Sequence, residues 1–106
     1  MAQFDVHRNT GSRSDIVPSV VVVQSTLFDN YSRRVVIPLV KASAVSQIPS
    51  SRLNPTFKIG KTSVVLHPLD VVSVAVEKLG APVASLASEG NQIIGALDEL
   101  FSRAWG

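Results

Sequence analysis

The closing stretch, Asn91 to Gly106, is the one segment with a clear helical period. It limits the fold, because any core it lies on must come from the short β-branched runs before it. At roughly 100° per residue, Ile93, Ile94, Leu97, Leu100, Phe101, Ala104 and Trp105 fall within an arc of about 140°, opposite Gln92, Gly95, Glu99, Ser102 and Arg103. The pattern predicts one amphipathic helix. Ser88 is a plausible N-cap and Glu89 suits the positive end of the helix, while Gly90 and Gly95 each weaken it by up to about 1 kcal/mol relative to alanine. Packing rather than propensity must therefore hold it. Trp105, the only tryptophan, stands at the stripe's edge beside Asp98 in the last turn, where helices fray. It either folds back as a lid on the core or anchors a partner. With only Gly106 after it, and with Ile93, Leu97, Leu100 and Phe101 already filling the stripe, the anchor is the favoured reading.

The rest of the chain alternates between strand-like runs and breakers. Gln3 to His7 alternates around Phe4 and Val6 and reads as a short strand with those two on the core face. Asn9 to Asp15 reads as a loop. The β-branched run Val17 to Gln24 suits a central strand covered on both faces, with Pro18 at its entrance. Asp29, Asn30 and Ser32 mark a turn, and Arg33 to Val40 is the antiparallel return. Pro38 has no N–H to give a ladder, so a bulge or a sheet edge is expected there. Lys41 to Asn54, with Pro49 inside it, predicts a loop carrying at most one helical turn. Pro55 to Gly60 and Thr62 to His67 form a hairpin, with Gly60 in the first central position that a type II′ turn requires. Leu69 to Leu79 reads as a further strand, closed by Gly80, Ala81 and Pro82 before a link through Ser85 and Ser88. These short strands and one terminal helix predict a mainly β chain: a compact, partly closed barrel with the helix laid against it.

A chain of 106 residues, 45% of them hydrophobic, can bury a core without staples, so a single domain spanning 1-106 is expected. The lack of cysteine excludes disulfides and thiolate metal sites and suits a reducing cytoplasm. No apolar run approaches the ~20 residues of a membrane span, and the N-terminus lacks a signal-peptide core, so a soluble protein retained in the cell is expected. The net charge of +2, with basic residues scattered apart from Arg33-Arg34, argues against direct nucleic-acid binding. Nothing in the spacing supports catalysis, a metal or a cofactor. His7 and His67 lack ligand spacing and read as ordinary strand-end histidines. Asp98 and Glu99 point about 100° apart on a helix and cannot clamp one atom together. Gly60-Lys61-Thr62 lacks the upstream glycine and following helix of a phosphate loop. Arg33 and Arg34 point to opposite faces of a strand, and a solvated role beside the turn is expected for them.

The order of motifs resembles the CcdB toxins of bacterial toxin–antitoxin modules over nearly the whole chain. The residues that carry the resemblance are Gln3-Phe4, Val23-Gln24-Ser25 with Asp29, Arg33-Arg34-Val35-Val36-Ile37-Pro38-Leu39, Ile59-Gly60, Asp70 with Ser73-Val74, and the closing Phe101 and Trp105-Gly106. The resemblance implies an SH3-like barrel of the CcdB/MazF type, with a C-terminal helix, assembled as a symmetric homodimer. It implies binding rather than catalysis. The dimer would wedge into the A subunit of DNA gyrase and trap the cleaved-DNA complex, and a CcdA-like antitoxin would neutralise it through a disordered segment.

By the same resemblance, target binding falls on Asp98, Phe101, Trp105 and Gly106, and antitoxin binding on Leu27, Phe28 and Phe101, and the two partners are expected to compete for Leu27, Phe28 and Phe101. Asp98 stands where asparagine is usual in the best-known member of the family. Ser102, Arg103 and Ala104 separate Phe101 from Trp105, which moves the tryptophan about 4.5 Å along a continuing helix and about 60° around it. Two other readings stay open: a same-fold endoribonuclease like the MazF and Kid toxins, using Arg13 or Arg33, or a family member that has lost toxicity and only binds antitoxin.

Overall fold

The computed structural model describes residues 2–46 and 51–103, the last two by backbone alone. Pro49, Ala104, Trp105 and Gly106 lie outside the described residues. The strands are β1 (Asp5–Arg8), β2 (Ser19–Val22), β3 (Arg33–Lys41), β4 (Thr56–Ile59), β5 (Thr62–Leu66), β6 (Val72–Ala75) and β7 (Pro82–Ser85), followed by the helix α1 (Gly90–Asp98). They form one curled antiparallel sheet in the order β4-β5-β3-β2-β1-β7, with β6 also paired to β3. This is the mainly β, partly closed barrel with a C-terminal helix that the sequence predicts. Its core is built from Val6, Val21, Val23, Ile37, Leu39, Phe57, Val64 and Leu66, and Leu86, Ile93 and Ala96 close it from the helical end.

The valine run makes β2 central, between β1 and β3, and Pro18 precedes it as expected. Pro38 departs from expectation, since it lies inside β3, opposite Val20, and neither at a bulge nor on an edge. Two features remove the need for its N–H. Val23 N–H donates to Val35 O, so in the alternating ladder Val20↔Pro38 is a pair without hydrogen bonds and the proline nitrogen faces away from β2. On that far side β3 changes partner, pairing with β6 at Arg33 to Val36 and with β5 at Leu39 to Lys41. The proline falls in the seam. Its carbonyl still accepts from His67 N–H at 3.1 Å.

The hairpin of β4 and β5 turns at Gly60, whose φ of +61° together with an ordinary φ at Lys61 suits the expected type II′ turn. Between Lys41 and Ser46 the expected loop carries one 3-10 turn, Ala42–Ala44. The strand expected over Leu69 to Leu79 is shorter. Pro68 starts a 3-10 turn, only Val72–Ala75 pairs, and a second turn at Val76–Lys78 leads the chain off the sheet. The segment read as a link through Ser85 contains β7, an edge strand on β1 with Pro82 at its first residue, a position a proline tolerates.

At the N-terminus the strand begins at Asp5 because Phe4 has a φ of 70°. Phe4 is half-buried against the core, as its alternation with Val6 suggests. His7, expected as a strand-end residue, is fully buried. It faces away from Val6, and the chain beyond β6 folds over that face so that the His7 Nδ1–H donates to Gly80 O at 2.8 Å. Asn9 to Asp15 is an exposed loop as expected, except that Asn9 is half-buried and braces it through Nδ2 to Val17 O at 2.8 Å.

Ser88 does not cap the helix. A 3-10 turn, Ala87–Glu89, leads into α1, Glu89 takes the cap position, and the Ser88 hydroxyl donates to Glu89 Oε2 at 2.6 Å. Gly90 earns its place by close approach, since a Cβ there would stand 2.7 Å from the Phe4 ring. The buried line of the helix is Gly90, Ile93 and Ala96, with Leu97 partly buried beside it. It is therefore rotated toward Ala96 relative to the expected stripe, which leaves Ile94 and Phe101 exposed on the flank. From Glu99 to Arg103 the helix widens into a π-helical turn, a local irregularity found often at functional sites.

Candidate protein-interaction site

Between β2 and β3 the chain makes a loop whose apolar side chains point outward and whose polar groups point inward. Ser25 Oγ accepts from Leu27 N–H at 3.2 Å and so starts a 3-10 turn over Thr26–Phe28. Gln24 spans the base of the loop. Its Nε2 donates to Phe28 O at 3.1 Å and Arg33 O at 3.2 Å, while its Oε1 accepts from Val35 N–H at 3.0 Å.

Arg34 fills the interior of the loop and is buried, contrary to the solvated role expected of it. Its guanidinium donates to the carbonyls of Tyr31 at 2.6 Å, Arg33 at 2.9 Å and Asp29, and its Nε lies 3.9 Å from Asp29 Oδ1. That last distance is an ion pair, too long for a hydrogen bond. A planar fork of donors suits a set of converging carbonyls in a way a lysine would not.

On this frame Leu27 is 82% exposed, Phe28 47% and Tyr31 63%. The Phe28 and Tyr31 rings meet edge to face at 5.8 Å and 86°. A depression of about 410 Å3 lies beside them, lined by Gln24, Phe28, Tyr31, Ser32, Arg33 and Val35.

A second exposed set gathers at the helix end. Phe101 is 67% exposed, and Asp98 is exposed on the polar flank. Asp98 and Glu99 line a separate cleft of about 450 Å3 with Ser51, Arg52, Pro55, Gln92 and Gly95. The two concavities share no lining residue. Trp105 and Gly106, expected to share target binding with Phe101, lie outside the described residues.

Neither arginine that an endoribonuclease reading would use is shown paired with an acid among the described residues. Arg33 Nε donates to Ser73 Oγ and its Nη2 to Ser73 O, both at 2.7 Å, which ties β3 to β6. Arg13 is exposed in the first loop. Among the described residues no His, Asp and Glu side chains form a group able to hold a metal, and no helix is long and apolar enough to cross a membrane.

Sequence reasoning missed Tyr31, Gln24 and Arg34. For Tyr31 a signal existed, an aromatic among Asp29, Asn30 and Ser32 where turn residues dominate. Gln24 and Arg34 stand in the motifs that carry the resemblance, but no spacing in the sequence shows their bracing role, because most of their partners are backbone groups that only the folded loop brings round. A protein-family model described as CcdB protein matches residues 3–102. The chain belongs to the CcdB family. The match runs from the residue before Phe4 into the wide last turn, so it includes both the Leu27 and Phe28 loop and Phe101. Membership in the CcdB family supports, in general terms, a toxin of a toxin–antitoxin module, with an antitoxin as its partner.

Proposed function

We propose that the chain poisons DNA gyrase by binding its A subunit and trapping the cleaved-DNA complex, acting in the cytoplasm as a single-domain homodimer and by binding rather than catalysis. The observation that carries the reading is that a CcdB-family chain exposes Leu27, Phe28 and Phe101, large apolar side chains held on hydrogen-bonded or helical backbone. Leaving such a group fully in water forgoes about 1.5 to 3 kcal/mol, so a partner that covers them collects a part of that in proportion to their exposure, least at the half-covered Phe28. Gyrase contacts fall to Asp98, Phe101, Trp105 and Gly106, and antitoxin contacts to Leu27, Phe28 and Phe101. The two partners compete for Leu27, Phe28 and Phe101.

Expression in a sensitive host with and without a gyrase resistance mutation tests this. Growth arrest relieved by the mutation supports it; arrest with RNA decay in both hosts selects endoribonuclease activity, and no arrest selects antitoxin binding alone. At the anchor, Trp105→Ala is expected to weaken gyrase binding by about 2 kcal/mol or more while leaving thermal unfolding unchanged. A large fall in melting temperature, with inhibition per folded molecule intact, would make Trp105 a core lid instead.

A further inference from the structure

We infer that the depression beside Phe28 and Tyr31 is a socket for one apolar side chain of an acidic, disordered peptide segment, with Tyr31 as its specificity-determining wall. The inference deepens the antitoxin side of the function proposed above and rests on it. Tyr31 lies outside the residues assigned to either partner there.

Three observations carry it. The socket is built before any partner arrives, because Gln24 and Arg34 fix the backbone at Asp29, Tyr31 and Arg33, and Phe28 O is held too. Side chains on such a frame lose little freedom on binding, which favours affinity. Its walls are two aromatic rings locked edge to face and Val35, a surface that gains from covering by an aliphatic or aromatic group.

Its charge is one-sided. Arg33 lines the depression and has no acidic partner among the described residues, while Asp29, the acid of the loop, is engaged with Arg34. A carboxylate on the incoming chain beside its apolar anchor completes the pairing. Arg33 Nε and one N–H of Nη2 are committed to Ser73, so Nη1 and the second N–H of Nη2 are left to meet it. A disordered segment suits the site because a shallow depression needs an occupant that conforms to it and presents apolar and acidic residues in close succession.

The test measures binding of a synthetic peptide carrying the disordered segment of the module's antitoxin, and in parallel of purified gyrase A subunit, to wild type, Tyr31→Ala and Tyr31→Phe. The Tyr31 carbonyl that holds Arg34 survives both substitutions. For the peptide, Tyr31→Ala is expected to lower affinity tenfold or more and Tyr31→Phe less than about threefold, with melting temperatures matching wild type. Truncating the apolar side chain of the peptide should cost less against Tyr31→Ala than against wild type, a non-additivity that general destabilisation does not produce. Peptide affinity unchanged in Tyr31→Ala, an equal loss in Tyr31→Phe, or fully additive truncations would each overturn the socket. A Tyr31→Ala defect confined to gyrase would overturn the assigned occupant. Peptide binding with these features but no gyrase binding by wild type would sustain the socket and refute the gyrase reading.

Discussion

Arg34 shows how far one side chain can decide what a surface offers. Its charge is taken from solvent and returned as hydrogen bonds to loop carbonyls, and the same act turns Leu27, Phe28 and Tyr31 outward. Removing it leaves those carbonyls and Asp29 without their donor. Asp29 is 35% exposed as a side chain, but its Oδ1, the oxygen facing Arg34, is buried without a hydrogen-bond partner, so the cost lies between that of an unsatisfied polar group and that of a broken buried pair. Arg34→Ala is therefore expected to lower stability by about 2 to 4 kcal/mol in urea unfolding, and Arg34→Lys to recover less than half of it, since one ammonium cannot reach the same set of acceptors. A solvated arginine would give a change near zero. The adjacent Arg33, identical in type, is exposed and staples a neighbouring strand; alternation in the sheet separates the two roles, as the strand reading foresaw, but not which of the two would be buried.

At the level of elements, the parts legible in the sequence are those whose signal is local. The valine run of β2, the Arg33 to Val40 return and the Gly60 turn each carry their own period or their own required φ. The parts that were misread depend on distant chain. His7 is buried because residues near Gly80 fold across its face, and the buried line of the helix includes Gly90, against which the distant Phe4 ring packs. The site divides in the same way: the resemblance supplied Leu27, Phe28 and Phe101, whereas Tyr31 and its supports needed coordinates. The Phe4 contact gives a prediction opposite to helix propensity. Gly90→Ala should gain about 1 kcal/mol from propensity yet lose about 1 to 3 kcal/mol from overpacking, for a net fall in stability. Shortening the ring in Phe4→Leu should make the same glycine substitution neutral or stabilising. Calorimetry of the two single variants and the double variant checks this, and additive losses would remove the contact as the cause.

For the whole molecule, one small curled sheet and one helix leave Leu69, Val72, Val83, Ile94 and Phe101 in solvent together with the loop residues. So much exposed apolar surface on a single small chain motivates the homodimer proposed above. Sedimentation at micromolar concentration is expected to give twice the chain mass; the mass of one chain would reject it. The Pro38 seam bears on how this molecule moves. Since β3 exchanges β6 for β5 there, the ladder on that side of the spine comes in two pieces with no shared hydrogen bond at the join. Each piece can breathe by itself, so amides of β6 can exchange with solvent while those of β4 and β5 stay closed. Arg33, tied to Ser73 across the first piece, is also the residue whose carbonyl Gln24 holds at the foot of the loop. Fluctuation of one short edge strand thus reaches the partner-facing loop directly, and the barrel need not open for the loop to adjust.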